Sequence, residues 1–204
     1  MHRLRLISIE GLDGAGKSTL LHSLGHALDY AGYPYLLTHE PYSKSFEAAV
    51  LGGLRPEAEA LAFAADRLQH ISEIIAPALA VRKFVIIDRY IDSSFAYQGY
   101  GGGVSLDWLS VLNRGVLEPG LTYFLDVPPE QGLKRQGRKK VFEERGLNYI
   151  QRVQAGYQEL IRQEPDRFAI LSGCLPLKDV AGLAETDLID RIEGGEFGVV
   201  ARAQ

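Results

Sequence analysis

The chain has 204 residues and a formal charge of −4, with 46% hydrophobic and 24% charged residues. That balance suits a water-soluble globular protein with a sizeable core, no apolar run approaches the roughly 20 residues that span a bilayer, and the acidic charge argues against broad nucleic-acid binding. One cysteine, Cys174, excludes an intramolecular disulfide and a cysteine zinc site and fits a reducing, cytoplasmic setting.

The chain opens on a strand signal at Arg3–Glu10. A glycine-rich turn leads into a predicted helix, Lys17–Ala31, with Leu20, Leu21, Leu24 and Leu28 at helical spacing and Gly32 as its stop. Tyr35–His39 reads as a second strand. Pro56–Ala80 predicts one long helix, its apolar side carrying Leu61, Ala65, Leu68, Ile71 and Ile75. Phe84–Asp88 is the third strand. Gly99–Gly103 reads as a mobile loop or a close backbone approach. Helix Leu106–Leu117 and strand Thr122–Val127 follow, then a basic turn, Gln136–Lys140. Helix Val141–Gln163, strand Arg167–Ser172 and helix Leu177–Ile192 complete the pattern, and the Gly-rich tail from Gly194 is expected to fray. Strands alternating with helices imply an α/β fold, a five-stranded parallel sheet with helices on both faces, in one domain over residues 1–204.

The strongest local signal is Gly11-Leu12-Asp13-Gly14-Ala15-Gly16-Lys17-Ser18-Thr19, the P-loop pattern between a strand and a helix. Its main-chain amides and the positive end of the following helix suit a nucleoside triphosphate. Lys17 is placed to reach the β- and γ-phosphates, and Ser18 to offer its hydroxyl to Mg²⁺. Asp88 and Arg89 end a buried strand, at the sheet edge where ligands gather. Asp88 suits a water of the metal's shell, and Arg89 an anionic group held by its planar fork. Phe63 and Arg67 lie four apart and share a helix face. Taken alone, they read as a core phenylalanine and a snorkelling arginine. The basic run reads either as a solvated charge run or as a lid over phosphates; we take it as a lid, about residues 136–143.

Together these segments resemble thymidylate (dTMP) kinases of the P-loop nucleoside monophosphate kinase group. The resemblance rests on Ile9-Glu10 with the P-loop, His39-Glu40-Pro41, Phe63-Ala64-Ala65-Asp66-Arg67, Asp88-Arg89-Tyr90 and Ser93-Ser94-Phe95-Ala96-Tyr97-Gln98-Gly99. It continues through Tyr123–Glu130, Gly132–Arg135 and Gln151–Tyr157, nearly the whole chain. It implies a three-layer P-loop NTPase fold with a short lid, a homodimer, and phosphorylation of dTMP to dTDP by MgATP. Asp13 then bonds the 3′-hydroxyl of the acceptor and Arg89 its phosphate. Phe63 stacks on thymine and Arg67 bonds a carbonyl of the base. Ser94 and Gln98 face the pyrimidine edge, and Tyr97 packs on the sugar.

Two segments depart from the family pattern. With Gly at position 14, the family places a catalytic arginine in the lid, yet the common Asp-Arg-Ile-Glu is here Lys140-Val141-Phe142-Glu143. Arg138 is the chosen substitute, with Lys139 and Arg135 as alternatives. The usual Arg-Glu-Pro-Gly-Gly loop is His39-Glu40-Pro41-Tyr42-Ser43, with Lys44 as a candidate phosphate contact. Competing readings are a kinase for dUMP, UMP or a nucleoside, and a regulatory ATP-binding protein with slow ATPase activity.

Overall fold

Five parallel strands in the order β2-β3-β1-β4-β5 make the sheet of the computed structural model, which describes residues 4–51, 53–135 and 145–198. The strands are β1 (Leu6–Gly11), β2 (Tyr35–His39), β3 (Phe84–Asp88), β4 (Leu121–Asp126) and β5 (Phe168–Ser172). The register sets Ile9 beside Asp88 and Tyr123, so the end of β1 and its P-loop sit mid-sheet. Central strands of a covered parallel sheet are buried on both faces, and all six residues of β1 are buried.

One face packs Ile7, Ile9, Ile86 and Leu125 against Leu20 and Leu24 of α1 (Lys17–Tyr30) and Ala184 and Leu188 of α9 (Leu177–Glu193). On the other face, Leu6, Val85 and Ile87 meet Ile75 and Ala78. Phe124 there meets Val153 and Tyr157 of α8 (Leu147–Gln163). This second face also buries Ser8, Glu10 and Thr122. Buried polar atoms need partners. Ser8 Oγ and Thr122 Oγ1 lie 2.7 Å apart, and Arg167 donates to Thr122 Oγ1 (2.8 Å) and to both carboxylate oxygens of Asp92 (2.7 and 2.8 Å).

The remaining helices differ more from the sequence-based expectation. α2 (Lys44–Leu51) was not predicted. The long helix is α3 (Pro56–His70), a π-helical turn Ile71–Ile75, then α4 (Ala76–Ala80). Pro77, which lacks an N–H, lies just beyond the π-turn. The apolar side expected of this helix is wrong over α3: Leu61 and Leu68 are half exposed, and the buried residues are Glu59, Ala60, Ala64, Asp66, Arg67 and His70. Gly99–Gly103 is not an open loop. α5 (Ile91–Ser94) runs on as a π-helical turn, Phe95–Gly101. A Cβ at Gly99 would stand 2.6 Å from Leu106 Cδ2, and one at Gly101 would stand 2.7 Å from Val153 Cγ2. The close-approach alternative therefore holds at Gly99 and Gly101, while Gly103, at φ 79°, has open space around it.

α6 (Leu106–Leu112) stops five residues early, at a turn where Asn113 Nδ2 donates to Leu109 O (2.9 Å). α7 (Pro129–Arg135) follows β4. Gly194–Gly198 does not fray. Phe197 is buried edge-on against Phe84, and Arg5, which lies outside β1, donates to Phe197 O (3.3 Å) and Arg82 O (2.8 Å). No helix among the described residues is long and apolar enough to cross a membrane.

Candidate active site

The P-loop leaves β1 through Gly11, whose φ of 140° is open to glycine; a Cβ there would sit 2.7 Å from Leu125 O. Gly16, at φ 101°, is the N-cap of α1, so the first amides of that helix face outward. Lys17 Nζ is buried, donating to Leu12 O (2.9 Å) and lying 3.8 Å from Asp13 Oδ1. Burial, with the Arg89 charge adding, pushes its amine down to about 8. Ser18 Oγ donates to Asp88 Oδ2 at 2.8 Å. A hydroxyl and a carboxylate oxygen side by side at a phosphate loop are the hard donors Mg²⁺ takes when phosphates and waters supply the rest.

Arg89 turns out of β3 with φ 67°, in the left-handed region. Its Nη2 donates to Asp13 Oδ1 (2.5 Å) and Tyr97 OH (3.1 Å), and its Nη1 to Ser93 Oγ (3.2 Å). The guanidinium lies 4.8 Å from the centre of the Tyr97 ring.

Arg67 neither snorkels nor stands free. It is wholly buried, donating through Nε and Nη2 to Glu40 Oε2 (3.0 and 2.7 Å), through Nη1 to Asn113 Oδ1 (2.7 Å) and through Nη2 to Ser94 Oγ (3.0 Å). A guanidinium has five N–H groups. Four are spent on the protein, which leaves one on Nη1 for a ligand. Phe63 is half-buried at the surface of the same cavity, not in the core.

That cavity has a volume of about 700 Å³. It brings together Asp13, Gly14, Gly16, Lys17, Ser18 and Thr19 from the P-loop side. The same lining includes Phe63, Arg67, Asp88, Arg89, Ser94, Tyr97 and Gln98. Gly11, Leu12 and Ala15 do not line it; Leu12 and Ala15 bury their side chains in the two cores. Lys44 is exposed at the start of α2 and away from the lining, which takes Glu47 from that helix instead. Arg138, Lys139 and the lid segment lie outside the described residues. Arg135 donates to Gly173 O (2.8 Å), away from the cavity.

Several supporting residues were given no role from sequence. Asp66 is fully buried and accepts the amides of Tyr42 (2.6 Å) and Ser43 (2.8 Å), fixing the altered loop after β2. Glu40 holds Arg67. Glu10 lies buried beneath Arg89. The available signal was an acid inside an apolar run or beside a basic residue, a pattern that does not name the partner.

Residues 9–182 match the family model described as thymidylate kinase. A thymidylate kinase of Desulfovibrio desulfuricans is 40% identical over 195 aligned positions, covering 85% of this chain and 90% of the relative. One from Synechococcus sp. (strain JA-2-3B'a(2-13)) is 42% identical over 175 positions, covering 81% and 85%. One from Geotalea daltonii is 36% identical over 209 positions, covering 92% and 98%.

Proposed function

This chain belongs to the thymidylate kinase family, and from that premise we propose how its cavity serves the reaction. The protein transfers the γ-phosphoryl group of ATP to dTMP, giving ADP and dTDP. An oxygen of the dTMP phosphate bonds to the γ-phosphorus as the bond to the β,γ-bridging oxygen breaks, and that electron pair leaves with ADP. The attacking oxygen is ionised at neutral pH, so no general base is needed. Catalysis rests on alignment and charge neutralisation.

In this reading the P-loop amides and Lys17 hold the donor phosphates. Arg89 exchanges Asp13 for the acceptor phosphate, which frees Asp13 to accept the 3′-hydroxyl. Phe63 stacks on the base. Ser94, Gln98 and the remaining N–H of Arg67 meet its edge, and Tyr97 backs the sugar. Ser18 and Asp88 would hold Mg²⁺, which would supply charge neutralisation on the phosphates. Arg138 is the proposed lid cation.

One observation carries the acceptor assignment. Gln98 is 2% exposed and lines the cavity, yet its side-chain amide makes no hydrogen bond among the described residues. A carboxamide facing the cavity offers a ligand both a donor and an acceptor, which a pyrimidine edge complements. The test is a panel of dTMP, dUMP, UMP, dCMP and thymidine with MgATP, with products identified. The expected result is preference for dTMP; wide preference for UMP or thymidine refutes the assignment. ADP formation indifferent to every acceptor points instead to the regulatory ATPase.

The family resemblance also suggests a homodimer. In support, α3 and α6 pack together and expose Leu61, Leu68, Trp108 and Val111, an apolar area of the kind two copies cover. Leu68→Glu should shift the mass in solution from dimer to monomer; an unchanged dimer refutes that face. The cytoplasm, whose reducing poise keeps the exposed Cys174 a thiol, is the proposed compartment.

A further inference from the structure

We propose that Glu10, the buried acid at the end of β1, is a positioning residue that sets the guanidinium of Arg89. The inference rests on the reading of Arg89 as the acceptor-phosphate clamp. Glu10 Oε1 accepts the amides of Tyr90 (2.8 Å) and Ser93 (3.3 Å), and Oε2 accepts the hydroxyls of Ser93 (2.6 Å) and Tyr157 (2.8 Å). All four donors converge on one side chain with no solvent exposure.

Their placement explains the backbone of Arg89. Apart from Arg82, which turns between α4 and β3, it is the described non-glycine residue with positive φ. Such a conformation costs about 1–3 kcal/mol and persists where its surroundings over-determine it. Here β1 grips both sides of the kink. Ile9 O accepts the Arg89 amide (3.0 Å), and the Glu10 carboxylate accepts the next amide, that of Tyr90.

The side chain is set through Ser93. In its ionised form the Glu10 carboxylate only accepts, so the single Ser93 hydroxyl proton then goes to Glu10. Its lone pairs are thereby turned toward Arg89 Nη1, 3.2 Å away. A glutamine at position 10 brings an N–H₂ to the same place. It donates into Ser93 Oγ and competes with Arg89 for those lone pairs.

The charges facing Glu10 are Asp92 from α5 and Arg89 and Lys17 from the site, with Tyr157 from α8. Asp92 is itself engaged by Arg167. Burial first, then Asp92, raise the Glu10 carboxyl to about 7 against the pull of its donors. The hydrogen bonds from Ser93 and Tyr157 oppose that rise and favour the ionised form that the Ser93 geometry requires.

The test is steady-state kinetics on wild type, Glu10→Gln, Tyr157→Phe, Arg89→Ala and Glu10→Gln/Arg89→Ala. Glu10→Gln should lower kcat/KM for dTMP by about 10²-fold, the scale of a small misplacement of a catalytic group, and leave KM for ATP within about twofold. In the Arg89→Ala background the same change should cost less than about threefold, because the group it acts through is gone. A Glu10→Gln enzyme within about threefold of wild type for dTMP overturns the proposal, as does an undiminished loss in the Arg89→Ala background. Should Glu10→Gln not fold, Tyr157→Phe keeps the carboxylate and three donors. It should show a loss of about fivefold on the acceptor side alone, again absent without Arg89, and no such loss overturns the proposal. Arg89→Ala with unchanged acceptor kinetics would instead remove the clamp reading itself.

Discussion

Replacing Arg67 by methionine tests the central polar strut of the cavity. Methionine keeps much of the buried stem and removes the fork. Four hydrogen bonds are lost, two of them to Glu40 Oε2. The Glu40 carboxylate then stays buried without its guanidinium, and its other oxygen, Oε1, lies 3.6 Å from His70 Nδ1 without a hydrogen bond. Breaking a buried pair from one side costs about 3–5 kcal/mol, chiefly because an uncompensated charge remains. That is a large share of the roughly 5–15 kcal/mol by which a domain is stable. The assay is urea unfolding, with the loss read as a lower midpoint at unchanged slope. Adding Glu40→Gln removes the stranded charge, so the double variant should regain all but about 1–2 kcal/mol. A single-variant loss below about 1 kcal/mol, or a double variant weaker than the single, would refute the argument.

Three further outcomes follow from neighbouring geometry. Lys17 titrates near 8 in the free protein, so ATP affinity measured by calorimetry should fall as pH rises through that value, while Lys17→Met should bind weakly with no such slope; a flat wild-type profile between about pH 7 and 9 contradicts it. Gly11→Ala places a Cβ 2.7 Å from Leu125 O at φ 140°, and should cost about 2–3 kcal/mol in urea unfolding and most of the turnover; near-wild-type stability contradicts the close approach. Asp66→Ala strips the amides of Tyr42 and Ser43 of their shared acceptor, and should cost about 3 kcal/mol and raise KM for dTMP more than KM for ATP; equal effects on the two substrates contradict a role local to this loop.

The sheet was legible because its signals are local. Each strand is a short apolar run, and the register moved the ends only slightly, as in Thr122–Val127 against the observed Leu121–Asp126. The P-loop was legible because glycine spacing fixes backbone shape before any partner is known. Helix α3 was misread for the opposite reason. Counting apolar residues at helical spacing picks Leu61 and Leu68, and treats Asp66, Arg67 and His70 as solvent-facing, since charged residues are rarely buried unpaired. The pairing that reverses this comes from Glu40 and Asn113, 27 and 46 residues away from Arg67 in the chain. The glycines of 99–103 left two readings open. A glycine run marks either freedom or crowding, and only the arrival of Val153 and Leu106 decides for crowding.

The same distinction separates the two halves of the cavity. On the proposed donor side, three glycines and a helix start shape the loop, so the ligand it suits is read from the loop itself. On the acceptor side, side chains of Arg67, Arg89 and Ser94 are aimed by other side chains, and those by acids on β1 and after β2. An orientation built through two shells can be changed without altering any residue that touches a substrate. Substitutions at positions such as Glu10 and Asp66, which do not line the cavity, are therefore expected to reach acceptor use before donor binding, and a variant at one of them that weakened ATP binding first would mean that the two halves share a support this geometry does not contain.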